Sequence, residues 1–256
     1  MSSETAAEMV HPDLGASTSD TASLNIQAER RFLSRDVLAQ HTEAYFTHIY
    51  HLPGYNFFHR PSMLEDLQND RVAPILSIAI CATVSSYLDR SKSGKQLAIQ
   101  WATEVDGYIS TNMNNLNLLN LQVIMLSLYQ HFAYRQFGRS WLLLGMATRL
   151  ALGIQLNKGV QGGASDSSFA ARECNKRLAW SIYIHDKLQS GGIEEFVTMP
   201  QRWINLSLPL NDDDFHRERD CATSTLADNL KVSVRSDLNP SSYMVILMTL
   251  RHEILR

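Results

Sequence analysis

The chain has 256 residues, 45% of them hydrophobic, enough for one large domain or one domain with a tail. A formal net charge of −3 and a sequence pI near 6.3 exclude a global basic field that would draw it to nucleic acid or anionic lipid. Its three cysteines, Cys81, Cys174 and Cys221, fit no CxxC pattern and no disulfide framework, and they read as reduced thiols of a nuclear or cytosolic protein.

Residues 1–31 are rich in Ser, Thr, Ala, Asp and Glu, lack apolar periodicity and read as a disordered tail. They contain no cationic stretch followed by an apolar one, so they are not a secretory signal. Ser34 is a plausible N-cap for a first helix, RDVLAQHTEAYFTHIYHL, with Leu38, Tyr45, Ile49 and Leu52 on one face and Pro53-Gly54 as its stop. In NFFHRPSMLEDL the proline pushes Arg60 toward an extended backbone, and Pro61 suits a turn or the first position of the next helix. Further helices are predicted over Ala73–Leu88, Lys95–Asn112, Leu118–Phe132, Trp141–Leu156 and Phe169–Gln189. GVQGGASDSS is a predicted flexible loop, and Gly191-Gly192 ends the sixth helix. The last helix starts at Asn239-Pro240 and carries Tyr243, Leu247, Leu250 and Ile254.

No alternating strand pairs appear, so the class is all-α, with residues 32–256 as a multi-helix domain. The final helix reaches Arg256 without a glycine cap or polar tail, so the domain is expected to be C-terminally incomplete and to continue in a longer relative. The run GRSWLLLGMATRLALGIQLNK, Gly138 to Lys158, is too short and too interrupted by Thr148 and Arg149 to span a membrane. It reads instead as the most buried helix.

No catalytic constellation emerges. GRSWL lacks the second glycine and preceding strand of a nucleophile elbow, and Ser140 reads as a helix N-cap. SGKQ, Ser93 to Gln96, lacks the rest of a phosphate loop and reads as a surface turn. His41, His48 and His51 lie close together on the first helix, but no HExxH pattern supports a metal. Asp212-Asp213-Asp214, and Asp186, Ser190 and Glu194, resemble the magnesium motifs of all-α terpene synthases but have the wrong spacing. The acidic run reads as a solvated turn. Glu29-Arg30-Arg31 and Arg35 are too few for a nucleic-acid surface.

Four segments in the same order and spacing carry a resemblance: AYFTHIYHLPGYNFFHRPSM, LQVIMLSLYQHFAYRQFGRSWLLLGMATRLALGIQLNK, RECNKRLAWSIYIHDKLQSGG and LSLPLNDDDF. Together they resemble the fungal-specific transcription factor domain, the regulatory middle homology region of fungal zinc-cluster factors, over roughly residues 32–256. The resemblance implies a nuclear, non-enzymatic regulator of RNA polymerase II transcription. It implies DNA contact through a separate six-cysteine zinc cluster, and partners among transcription-machinery proteins, a small-molecule effector or a second copy, with no membrane. No cysteine precedes Cys81, so zinc belongs to full-length relatives and no cofactor is assigned here. Lys187 stands where the family has Arg, and His185 where an apolar residue is common. Two other readings are a stand-alone small-molecule sensor or dominant-negative interaction module, and a magnesium-dependent helical enzyme.

The motif residues singled out are His59, Arg60, Pro61, Trp141, Gly145, Arg149, Glu173, Arg177, Trp180, Tyr183 and Asp186. Arg60 is expected to tie carbonyls or a carboxylate across helices with its fixed fork of donors. Glu173 and Arg177 are spaced to pair along the sixth helix. Trp180 and Tyr183 read as core aromatics. Asp186 wants a cation if buried, and Arg149, flanked a turn away by Gly145 and Gly153, is the predicted partner.

Overall fold

The computed structural model describes residues 33–158, 168–230 and 239–256. The predicted tail over residues 1–31 lies outside the described residues, as does the predicted loop after Lys158 up to residue 167. Among the described residues the chain is helical with no strand, apart from one antiparallel bridge between Ser207 and Thr225. The helices are α1 (Arg35–His48), α2 (Arg60–Gln68), α3 (Pro74–Leu88), α4 (Lys92–Thr111), α5 (Leu118–Ala133), α6 (Phe137–Gly153), α7 (Phe169–Ser190), α8 (Asp212–His216), α9 (Leu226–Leu230) and α10 (Pro240–Leu255).

Local sequence sets most of the starts. Side chains of Ser91, Asn117, Ser168, Asn211 and Asn239 each accept a backbone N–H from the first turn of the helix that follows. Each cap removes one of the orphan donors that every helix start exposes. Ser91 starts α4 three residues before the predicted Lys95, so the predicted SGKQ turn is in fact helix. Ser140 does not cap α6, which begins at Phe137; it lies buried one turn in, and its Oγ accepts from Gln189 Nε2 at 3.2 Å.

Two hairpins, α3/α4 and α5/α6, lie side by side, with α1 packed on α3 and α7 packed on α6 and α10. PILSIAICATVSSYL is apolar on all sides, and a helix of that kind is stable only when surrounded. Every residue of α3 from Leu76 to Ser85 is buried, between α1, α4 and α5. Thr83 stays satisfied there by donating back to the Ala79 carbonyl at 2.7 Å. The predicted ranking of Gly138–Lys158 as the most buried helix is therefore corrected. Trp141 and Leu142 on α6 are exposed, whereas α3, α5 and α7 carry longer buried runs. On α10 the inward face is Ser242, Val245, Met248, Thr249 and His252, while Tyr243, Leu247, Leu250 and Ile254 face outward. No helix among the described residues is long and apolar enough to cross a membrane.

Candidate functional site

The helix α7 carries Glu173, Arg177, Ser181 and His185 at four-residue spacing, all buried, with Asp186, Lys187 and Ser190 buried beside them. Residues four apart share one helix face. Charged groups survive there only when paired and hydrogen-bonded. The partners come from two irregular segments: the turn after α1, and the Pro-punctuated stretch from Thr198 to Asp212.

Arg177 is the hub, with a fully enclosed side chain. Its Nε donates to Glu173 Oε1 at 3.2 Å. Its Nη1 donates to Asp212 Oδ1 at 2.8 Å, to the Asn56 carbonyl at 3.1 Å and to Tyr50 Oη at 3.3 Å. Its Nη2 donates to the Leu210 carbonyl at 2.7 Å, and the guanidinium lies 4.2 Å from the centre of the Phe215 ring. Glu173 completes the cage, accepting from Leu210 N–H at 2.9 Å and from Lys176 Nζ at 2.6 Å. A planar fork of five donors can meet such divergent acceptors; an ammonium cannot.

The same helix straps the loop at two further points. Trp180 Nε1 donates to the Ser207 carbonyl at 2.9 Å. Asp186 Oδ1 accepts from Thr198 N–H at 2.8 Å and from Thr198 Oγ1 at 2.6 Å. Backbone polar groups in an irregular segment must find partners or stay in water. Here side chains of α7 supply them, so an irregular segment is fixed without a sheet.

The predicted Arg149–Asp186 contact is absent. Arg149 is exposed on α6 and makes no ion pair among the described residues, whereas Asp186 is buried and takes Lys187 as its cation, 3.4 Å from Oδ2. The reason is the helical phase: the neighbouring Thr148 faces inward. Its Oγ1 lies 3.1 Å from Thr198 Oγ1, which in turn donates to Asp186. The space argument also fails, since a Cβ added at Gly145 would meet nothing within 4 Å and no helix exploits the gap.

The other singled-out residues are placed as follows. His59 caps α2, its Nδ1 accepting from Ser62 N–H at 3.4 Å, with Pro61 in the first turn. Arg60 reaches Glu43 on α1 at 2.7 Å, an exposed pair that falls among bridges contributing at most about 1 kcal/mol. Tyr183 is buried, with its hydroxyl 2.9 Å from Thr249 Oγ1 on α10. Trp141 is exposed, with its ring 6.2 Å from that of Phe196. The Glu173–Arg177 pair is not a surface rung but the centre of a buried network. Sequence reasoning missed Tyr50, Asn56, Thr198 and Asp212. The acidic run was read as a solvated turn, yet Asp212 pairs with Arg177 and Asp214 with Arg219, at 2.7 Å. An Asn before three acidic residues is itself a helix-start signal, and it could have located α8.

His185 packs its ring against Gly54, whose φ of +79° and lack of a Cβ allow the approach. A Cβ there would sit 2.8 Å from the imidazole Nε2. Burial pushes this imidazole down to about 4. Burial also lowers His41, His59 and His216. The folded His185 is therefore neutral, while the unfolded one titrates near about 6.5. Below that pH the unfolded chain binds the extra proton, so stability falls as pH drops from about 6.5 toward about 4, by up to about 1.4 kcal/mol per pH unit per such group. Denaturation midpoints between about pH 7 and pH 5 should fall, and His185→Phe should flatten part of that slope.

Among the described residues no group of three or more His, Cys, Asp or Glu side chains could hold a metal ion. His41 is edge-on to Trp101 and His48 stacks on Tyr87, so the first-helix histidines pack rather than converge. Cys81 is buried, Cys174 half-buried and Cys221 exposed, all unpaired, so they do not fit a cysteine zinc cluster.

The profile described as "Fungal specific transcription factor domain" matches residues 42–256. The Zn(2)-C6 fungal-type transcription factor FTF1a of Fusarium oxysporum f. sp. lycopersici is 27% identical over 191 residues, 70% of this chain and 18% of that protein. An uncharacterized transcriptional regulatory protein of Schizosaccharomyces pombe is 27% identical over 214 residues, 78% of this chain and 22% of its own length. A second such protein of the same yeast is 26% identical over 201 residues, 75% of this chain and 24% of its own length. The chain thus spans roughly a fifth of the length of the curated relatives it matches. No solved structure matches it. The matched span includes α7, the turn after α1 and the strapped loop, and the chain belongs to the fungal-specific transcription factor domain family.

Proposed function

We propose that this chain is the regulatory module of a nuclear fungal transcription regulator, acting on RNA polymerase II transcription through protein contacts rather than by catalysis. The observation that carries this reading is the family match over residues 42–256, joined to relatives named as transcription factors and transcriptional regulatory proteins. Its net charge of −3 gives no global basic field to draw it to a duplex, so DNA contact is not assigned to these residues. The zinc in the relatives' names is not assigned to them either. The α7 hub suits a regulatory part, because one buried helix fixes two irregular segments at once. Removing codons 42–256 in frame from the native locus tests the reading. A defined set of transcripts should change in abundance, and the tagged undeleted chain should be found in the nucleus. An unchanged transcriptome at normal protein level would refute it.

A further inference from the structure

We infer that the exposed turn between α5 and α6 is the docking surface for an acidic amphipathic helix of a protein partner. The turn and its flanks read FAYRQFGR, Phe132 to Arg139, and every one of these residues is exposed. The segment holds three aromatic rings and two arginines but no acid. Phe132, Tyr134 and Phe137 are 54%, 51% and 57% exposed, and Trp141 and Leu142 carry the exposed apolar surface one turn further along α6. Aromatic rings and arginines are the side chains that protein interfaces concentrate, and a contiguous exposed apolar surface marks a binding site.

The turn holds its rings in place. Arg135 has a φ of +61°, a conformation that non-glycine residues rarely adopt. Its N–H donates to the Phe132 carbonyl at 3.0 Å, and Gln136 N–H donates to the His131 carbonyl at 2.8 Å. Gln136 Oε1 also lies 2.6 Å from Nδ1 of the buried His131. Phe132 and Phe137 meet edge to face, with ring centres 5.5 Å apart. Beside Tyr134 a cleft of about 190 Å³ opens against α4, lined by Ala98 and Ile99 and edged by Asp89, Arg90 and Lys95. Such a recess suits one bulky apolar anchor, and a rim fixed beforehand lowers the ordering cost of docking.

Charge selects the partner. The chain has 26 acidic residues, yet none of them lies between Gly107 and Lys158. The acids that reach the turn from α4 and its start are already engaged. Asp89 Oδ1 accepts from Ser91 N–H at 2.8 Å, and Asp106 meets His131 Nε2 and Arg139, each at 3.0 Å. Arg90, Lys95 and Arg135 enter no ion pair among the described residues. An amphipathic helix with Asp and Glu beside its apolar stripe complements both features, its acids facing the cations and its apolar side chains the rings. A single nucleic-acid strand also brings anions and rings. Its evenly spaced phosphates would meet Asp89 at the cleft edge, whereas a helix keeps its acids to one flank. The inference deepens the reading of the chain as acting through protein contacts and rests on it; the transcript test above and the binding test below fail independently.

The test titrates the whole chain, by fluorescence anisotropy and calorimetry, into a synthetic helical peptide with Leu and Phe along one face and Glu on its flanks. A second peptide keeps the apolar face and replaces each Glu with Lys. The acidic peptide should bind at least about tenfold more tightly than the basic one. Tyr134→Ser and Phe137→Ser should each weaken its binding by about tenfold or more. Lys95→Glu combined with Arg135→Glu should reverse the preference between the peptides. Leu247→Asp, on the outward face of α10, and Arg149→Ala should bind as the parent does. All these positions are exposed, so the variants should keep the parent's thermal midpoint, which shows that they fold. Equal binding of the two peptides, binding of neither, or binding unmoved by Tyr134→Ser and Phe137→Ser would each overturn the inference. So would tighter binding of a labelled oligouridylate, or a dimer of the chain that Phe137→Ser dissolves.

Discussion

Arg177→Met should destabilise the chain by about 3–5 kcal/mol, the range seen when one partner of a buried ion pair is removed. Methionine fills much of the volume but donates nothing. Glu173 would keep only Lys176 and the Leu210 N–H, and the carbonyls of Asn56 and Leu210 would lose a buried donor. Each orphaned acceptor adds about 1–3 kcal/mol of desolvation cost, not all of it additive. With a total stability of about 5–15 kcal/mol for a typical domain, the variant sits near the edge of folding. Arg177→Lys should recover only part, because a point ammonium cannot reach Asp212, Asn56 and Leu210 together. Arg149→Ala, at an exposed position with no ion pair among the described residues, should stay within about 0.5 kcal/mol of the parent. Urea denaturation at constant slope measures all three. Equal losses for Arg177→Met and Arg149→Ala would refute the hub.

Asp186→Ala should cost a comparable amount, about 3–5 kcal/mol, for a related reason. It strips Lys187 of its only ion-pair partner among the described residues, leaving a buried ammonium over the Tyr183 ring. It also frees the Thr198 N–H and hydroxyl, which hold the start of the strapped loop. The paired change Asp186→Ala with Lys187→Met should be milder than Asp186→Ala alone, since the stranded charge goes too. Additive losses in that double-mutant cycle would mean the two side chains do not interact. Hydrogen exchange offers a second readout: the amide of Thr198 should lose protection in Asp186→Ala, ahead of amides in α3.

The long helices were legible because apolar periodicity and caps agree. Asn117, Ser168 and Asn239 announce α5, α7 and α10, and Gly191-Gly192 closes α7 with φ values of +59° and +91°. Helix faces were harder to read. On α6 and α10 apolar residues occur on more than one side, so periodicity could not say whether Arg149 or Thr148 turns inward, or whether Tyr243 or Val245 does. Burial is decided by what packs alongside, and no single window of sequence contains that. The hub was half legible. The spacing of Glu173 and Arg177 pointed to a pair, but its depth depends on Asn56 and Leu210, 121 and 33 residues away, acting through backbone carbonyls that carry no side-chain signature. Asp212 was visible as an acidic residue and misread as solvated, because its partner lies 35 positions back on another helix.

The proposed role of this helical domain, held by the α7 hub, is the regulation of transcription. The most direct measurement places the chain between a heterologous DNA-binding module and an activation segment, and reads a reporter at matched protein levels. Inserting the chain should change output several-fold relative to the same fusion without it. Arg177→Met should move output back toward that of the chain-free fusion, and Arg149→Ala should leave it with the parent. Identical output with and without the chain would contradict the claim, as would full modulation by an Arg177→Met variant shown to have lost the hub.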